Sequence, residues 1–108
     1  MPTPDEIAKE LERVYDAIKR RGFAHDAELA YGLGLAVMIA SAVASGENVS
    51  EDVADKALHI ASLAIDRAPP ENVILILRAL RPLRDKAPAR YIQLLSHALE
   101  TLSRKASR

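Results

Sequence analysis

The fold is decided by residues 29–45, LAYGLGLAVMIASAVAS, which carry no charged side chain and whose polar side chains are all hydroxyls. A helix that is apolar on every side is either the buried centre of a domain or a membrane span. A span needs about 20 apolar residues, and here glycine, serine and alanine dilute the stretch. Because amphipathic segments follow and precede it, we predict a central helix sheathed by its companions rather than a membrane segment.

The remaining segments predict four more helices, so that the helices cover residues 4–21, 26–45, 51–67, 70–81 and 88–105. Thr3, Pro4 and Glu6 form a capping pattern at the first helix, and Gly22 is placed to end it. The predicted fold is all-α: a compact, single-domain bundle of five helices (residues 1–108) packed around the central apolar helix 2. In the last helix the face expected to be buried consists of Tyr91, Ile92, Leu95, Ala98, Leu99 and Leu102.

The fourth helix is the least obvious element, because residues 73–77 are short and branched enough to form a strand. No second strand is available to pair with them, so we predict a helix. Pro82 lacks a backbone N–H and should kink or end this helix, leaving a turn or a short extra helix before Pro88 starts the last one.

Composition excludes several classes of function. The chain has 108 residues, 15 basic and 15 acidic residues and no cysteine, which excludes disulfides, thiolate zinc sites, iron–sulfur clusters and a cysteine nucleophile. The charge is uneven, with seven basic and thirteen acidic residues in 1–77 against eight and two in 78–108. We expect the basic segment to complement the acidic first and third helices, within the fold or across an oligomer interface.

The basic segment, residues 78–108, also indicates which binding partners to expect. Nucleic-acid binding is not expected, because only Tyr91 stands near the basic residues to stack on bases. An apolar patch that could support self-association is expected from side chains that lie off the best buried arcs: Leu63, Ile74, Leu75 and Leu83.

Catalytic chemistry is not favoured by the pattern of ionisable residues. Helical periodicity turns His59 and His97 outward, and His25 precedes the apolar run, so the histidines do not converge on a metal. No His or Asp is predicted to face Ser41, the serine deepest in the apolar run. We therefore predict no catalytic residue, no metal and no cofactor. No targeting segment is expected at the start, and the sequence leaves the compartment open.

Gly32 and Gly34 stand out because each glycine inside a helix costs about 1 kcal/mol relative to alanine. They let another group approach the helix backbone closely. That group is either a neighbouring helix that crosses tightly, or a small apolar ligand or partner helix in a groove. In the second case we expect the ligand-binding residues to be Gly32, Gly34, Tyr15, Tyr31, Tyr91 and Ser41.

Three helices begin with regular capping sequences, and the chain has balanced net charge and no cysteine. These helix openings are Thr3-Pro4-Asp5-Glu6, Ser50-Glu51-Asp52 and Pro70-Glu71-Asn72. In these features the chain resembles de novo designed helical proteins, although Gly32, Gly34 and Pro82 depart from an idealised design. The resemblance implies a scaffold or binding module with a groove for a small apolar ligand or partner helix. The alternatives are a designed enzyme with a tyrosine-rimmed buried pocket, and an oligomer building block without a ligand.

Overall fold

Five α-helices follow one another in the computed structural model, which describes residues 2–106. They are α1 (Pro4–Arg21), α2 (Asp26–Ala44), α3 (Glu51–Ile65), α4 (Pro70–Leu80) and α5 (Pro88–Ala106), with a short 3-10 helix (Arg81–Leu83) between the last two. The described residues contain no strand. The predicted all-α bundle of five helices is confirmed, and every helix end lies within two residues of its predicted position. Residues 1, 107 and 108 of the predicted domain lie outside the described residues.

Local chemistry accounts for the helix ends. At the start of α1, the Thr3 hydroxyl accepts a hydrogen bond from the Glu6 backbone at 3.2 Å, and the Glu6 carboxylate accepts one from the Thr3 backbone at 3.2 Å. At the start of α3, the Ser50 hydroxyl accepts from the Val53 backbone at 3.1 Å. The helix of α4 stops just before Pro82, as expected from the missing N–H.

The central helix α2 contacts α1, α3, α4 and the 3-10 helix. However, the prediction that its companions sheathe it is wrong, because only one face is buried: Leu29, Gly32, Leu35, Ala36, Ile39 and Ala40. The opposite face is exposed: small residues such as Ala30, Gly34 and Ser41 lie there beside two large side chains, Tyr31 and Met38. Small side chains carry little apolar area, so their exposure costs little free energy. The more enclosed helix is α3, in which eight of 15 residues are buried.

The orientation of α5 also differs from the prediction. Its buried residues are Tyr91, Leu94, Ala98 and Thr101, whereas Ile92, Leu95 and Leu99, which were expected to be buried, are exposed. Two parallel apolar stripes run along this helix, and a helical wheel alone does not show which one meets a neighbour. The buried stripe has small side chains at Ala98 and Thr101, which allow α5 to pack closely on α3 and α4.

Contacts with α3 hold α5 in this orientation. The Arg90 guanidinium donates to the Asp55 carboxylate at 3.0 Å, and His97 Nε2 lies 2.7 Å from an Asp66 carboxylate oxygen. The Arg90–Asp55 pair confirms that part of the basic segment complements the third helix within the fold. His97 is therefore half-buried in a pair rather than turned fully outward.

Candidate functional site: an apolar groove between α2 and α4

The two glycines of α2 lie on different faces and do not border one groove. A Cβ atom added to Gly32 would lie 3.0 Å from Ile60 Cγ2 and 3.6 Å from Val14 Cγ1. Gly32 therefore marks a tight crossing of α2 with α3, the first of the two interpretations given above. An added Cβ on Gly34 would meet nothing within 4 Å, because that residue faces solvent.

The three tyrosines lie in three separate places. Tyr31, expected to face inward, is 48% exposed. Tyr15 is buried, and its hydroxyl lies 2.9 Å from His59 Nδ1. Tyr91 is buried, and its hydroxyl donates to the Leu77 carbonyl at 3.5 Å. The structure therefore does not bring the tyrosines together around one pocket.

Ser41, the remaining predicted site residue, is exposed near the C-terminal end of α2. With Met38 and Ser45 it lines a shallow depression that Ile7 of α1 closes on one side. This depression is separate from the positions of the tyrosines and of Gly32. The six residues predicted from the sequence thus do not form a single site.

Sequence reasoning missed the Tyr15–His59 pair, which links α1 to α3. Burial lowers the pKa of His59 from its ordinary value of 6.5, and the nearby Arg90 charge lowers it further. A neutral imidazole bonded to a phenol can serve as a general base when a substrate lies within reach. Neither side chain lines the groove described below or any of four other surface depressions. The pair is thus best explained as a hydrogen bond between packed helices.

A second polar cluster joins α1 to the exposed face of α2. The Tyr31 hydroxyl donates to the Glu10 carboxylate at 2.6 Å, and Arg13 donates to the same carboxylate at 2.5 Å. These hydrogen bonds, first from Arg13 and then from Tyr31, lower the pKa of Glu10 to about 2. The cluster lies on the surface. Among the described residues, no group of three or more His, Asp or Glu side chains is placed to hold a metal ion.

A groove with a volume of about 450 Å³ runs between α2 and α4 above the end of α3. Its walls are apolar and include Leu29, Ala30, Leu33, Ala64, Leu75 and Ile76. Polar groups stand at the rim, where Arg67 donates to the Asp26 carboxylate and Asn72 lies nearby. Small-molecule sites have volumes of about 300–1,000 Å³ and combine apolar walls with a few polar groups, so the groove has the composition of such a site.

Two features of the chain open this groove. Ala30 and Ala64 put small side chains where α2 and α3 face α4, which leaves space between the helices. The segment Ala68-Pro69-Pro70 separates α3 from α4 and contributes Ala68 and Pro69 to the wall. Gly34 lies one turn beyond Ala30 on the same exposed side of α2. Neither Gly34 nor Gly32 lines the groove, so the expectation that the glycines border it is wrong.

No family model matches the chain, and no match is found among the curated proteins or the solved structures. Within residues 2–106, α2 is long and apolar enough to cross a membrane by length and composition, and 33% of its most apolar stretch is buried. Mostly buried core helices and N-terminal signal sequences pass the same test, so this finding is weak evidence for a membrane span.

Proposed function

We propose that the protein is a helical binding module that takes a small apolar ligand in the groove between α2 and α4. The observation that carries the proposal is the groove itself, whose walls combine the buried side chains of Leu29 and Ile76 with the exposed side chain of Leu75. Leu75 is 59% exposed there, and exposed apolar patches of this kind mark interaction sites. The resemblance to designed proteins stays a prediction, and the proposal does not depend on it.

The rim indicates which ligands fit. The side chains of Asp26 and Arg67 are 83% and 51% exposed. Because exposed ion pairs contribute only about 0–1 kcal/mol, a polar group of a ligand can replace either partner at little cost in free energy. Asn72 adds an amide at the same rim. The ligand expected here has a flat or elongated apolar body and one polar or anionic end that reaches Arg67.

The groove supports binding rather than catalysis. A catalytic acid or base is normally tuned by burial or by a specific charged neighbour inside a cleft. Here the titratable side chains, Asp26 and Arg67, stand at the exposed rim, and the walls are hydrocarbon. No observation favours the tyrosine-rimmed enzyme, because its three tyrosines lie apart.

A fluorescence titration with 1-anilinonaphthalene-8-sulfonate tests the proposal, since this probe combines an aromatic body with one anionic end. We expect saturable binding with a stoichiometry of one. Leu75→Gln, which places an amide on the groove wall without changing side-chain length much, should weaken binding about tenfold, the equivalent of about 1.4 kcal/mol.

Ile74→Gln is the matched control, because Ile74 is the neighbouring residue of α4, is 49% exposed and does not line the groove. Binding to this variant should equal wild-type binding. Equal losses in the two variants, or no saturable binding to the wild-type protein, would refute the groove as the binding site. Circular dichroism should show unchanged helicity in both variants, since both positions are exposed.

A further inference from the structure

An uncharged apolar stripe on α5 remains open to solvent. It consists of Ile92, Leu95 and Leu99, which are 63%, 36% and 69% exposed, and the half-buried Leu102. The spacing of three, four and three residues keeps all four on one side of the helix. The exposed neighbours Ala89 and Ser96 are small and uncharged, and Glu100 lies farther out on the same edge. An apolar patch of this extent marks an interaction surface.

One edge of this stripe is formed by α4, which runs antiparallel to α5. The Tyr91 hydroxyl donates to the Leu77 carbonyl, and Lys105 donates to the Ala68 carbonyl just before α4. The side of α4 that carries Leu77 therefore faces α5. Ile74 is one turn away from Leu77 on that side and is 49% exposed. Ile74 thus extends the apolar surface across the α4–α5 boundary.

We propose that this stripe binds a second copy of the chain, with the two α5 helices antiparallel about a two-fold axis. In an isologous contact each copy presents the same patch, so the patch must complement itself. The stripe does so, because its spacing is symmetric about residue 97. Ile92 of one copy meets Leu102 of the second copy, and Leu95 meets Leu99 of the second copy.

The charges along the α4 edge fit the same arrangement. Arg78 and Arg81 are exposed near the start of α5, and neither makes an ion pair with another described residue. Glu71 is exposed at the opposite end of α4. An antiparallel pair brings the arginines of one copy toward Glu71 of the other. A parallel pair would instead place this edge against the opposite edge of α5, where the exposed Glu100 would lie toward Glu71 of the other copy.

The length of α5 sets the size of the expected contact. Its 19 residues span about 28 Å, and a single helix face gives an interface at the small end of the specific range. We therefore expect a dissociation constant on the order of 10 µM. Analytical ultracentrifugation over about 1–200 µM should show a reversible monomer–dimer equilibrium for the wild-type chain.

Leu99→Glu tests the stripe, because it places two carboxylates near the axis, each against Leu95 of the other copy. This variant should dissociate at least about tenfold more readily than wild type. Leu75→Glu is the matched control: it puts the same charge on an exposed leucine in the α2–α4 groove and should dimerise normally. A wild-type chain that stays monomeric at about 200 µM, or equal effects of both variants, would overturn the proposal.

A charge exchange tests the antiparallel arrangement separately. Glu71→Arg alone and Arg78→Glu alone should each weaken the dimer, because each sets like charges against each other across the interface. The double variant should regain most of the wild-type affinity, because the pairs are reformed with reversed signs. If the two single losses simply add in the double variant, the antiparallel arrangement is wrong. The proposal does not rest on ligand binding in the groove, since the groove lies on the other side of α4.

Discussion

Substituting the two glycines of α2 by alanine separates two structural roles that the sequence gives no means to distinguish. Gly34→Ala adds a methyl group that meets nothing within 4 Å. Gly32→Ala adds one that lies 3.0 Å from Ile60 Cγ2, and the Ile60 side chain is fully buried and closely packed. Both changes remove the same conformational penalty, so any difference between them reports the crossing of α2 and α3.

The magnitudes follow from this geometry. Alanine is more favourable than glycine in a helix interior by about 1 kcal/mol, so Gly34→Ala should raise the free energy of unfolding by about that amount. In a domain of this size that corresponds to a rise in Tm of about 4 °C. For Gly32→Ala the same gain is offset by overpacking, which costs about 1–3 kcal/mol. The net effect should range from about zero to a loss of about 2 kcal/mol.

Urea unfolding followed by circular dichroism measures both values, and a double-mutant cycle with Ile60→Ala completes the test. Ile60→Ala removes the γ and δ atoms that the new methyl group would meet. In that background Gly32→Ala should become stabilising, because it keeps the helix gain and fills part of the cavity. The reasoning is refuted if Gly32→Ala stabilises the wild-type chain as much as Gly34→Ala does.

Three further predictions concern polar groups. The pKa of His59 in the folded chain lies below 6.5, so the free energy of unfolding should be highest above pH 6.5 and should fall as the pH drops from 6.5 through the lower pKa of the folded chain. His59→Gln should reduce this fall, as measured by urea unfolding at several pH values. The pKa of Glu10 is about 2 in the folded chain. NMR titration of the carboxyl group should show this pKa raised in Tyr31→Phe and raised further in Arg13→Gln. The stability that the ionised Glu10 contributes should be lost as the pH falls from 4.5 toward 2. Thr3→Ala removes the side chain that caps α1 and should lower the free energy of unfolding by about 1 kcal/mol, measured from the urea midpoint.

Helix number and helix ends could be predicted because they depend on nearby residues. Thr3 and Ser50 cap the backbone three residues on, Gly22 adopts the left-handed conformation (φ 85°) that ends α1, and Pro82 cannot continue α4. Each of these effects acts within one helical turn. Local chemistry therefore fixed the boundaries before any packing was considered.

The buried face of each helix was harder to predict than its ends, because it depends on where several helices meet. In α5 the stripe with Ile92 and Leu99 and the stripe with Leu94 and Ala98 are both apolar, and contacts with α3 select the second. His59 was assigned to solvent by the periodicity of α3 alone, but α1 crosses there and brings Tyr15 to it. Leu83, expected to lie off the buried arc, is fully buried in the short 3-10 helix that follows α4.

The groove was only partly visible in the sequence. Leu75 was expected to be left over from the core, and it lies in the groove wall at 59% exposure. Gly34 was expected to border a groove, but the space is made by Ala30 and Ala64 across from α4. A gap between helices depends on their relative placement, which no single-helix pattern contains.

The proposed binding function is tested most directly by amide chemical-shift mapping of the labelled protein during titration with 1-anilinonaphthalene-8-sulfonate. The groove proposal predicts saturable shifts concentrated at Leu29, Leu33, Leu75 and Ile76. Shifts concentrated at Ile92, Leu95 and Leu99, or scattered over the surface without saturation, would contradict it.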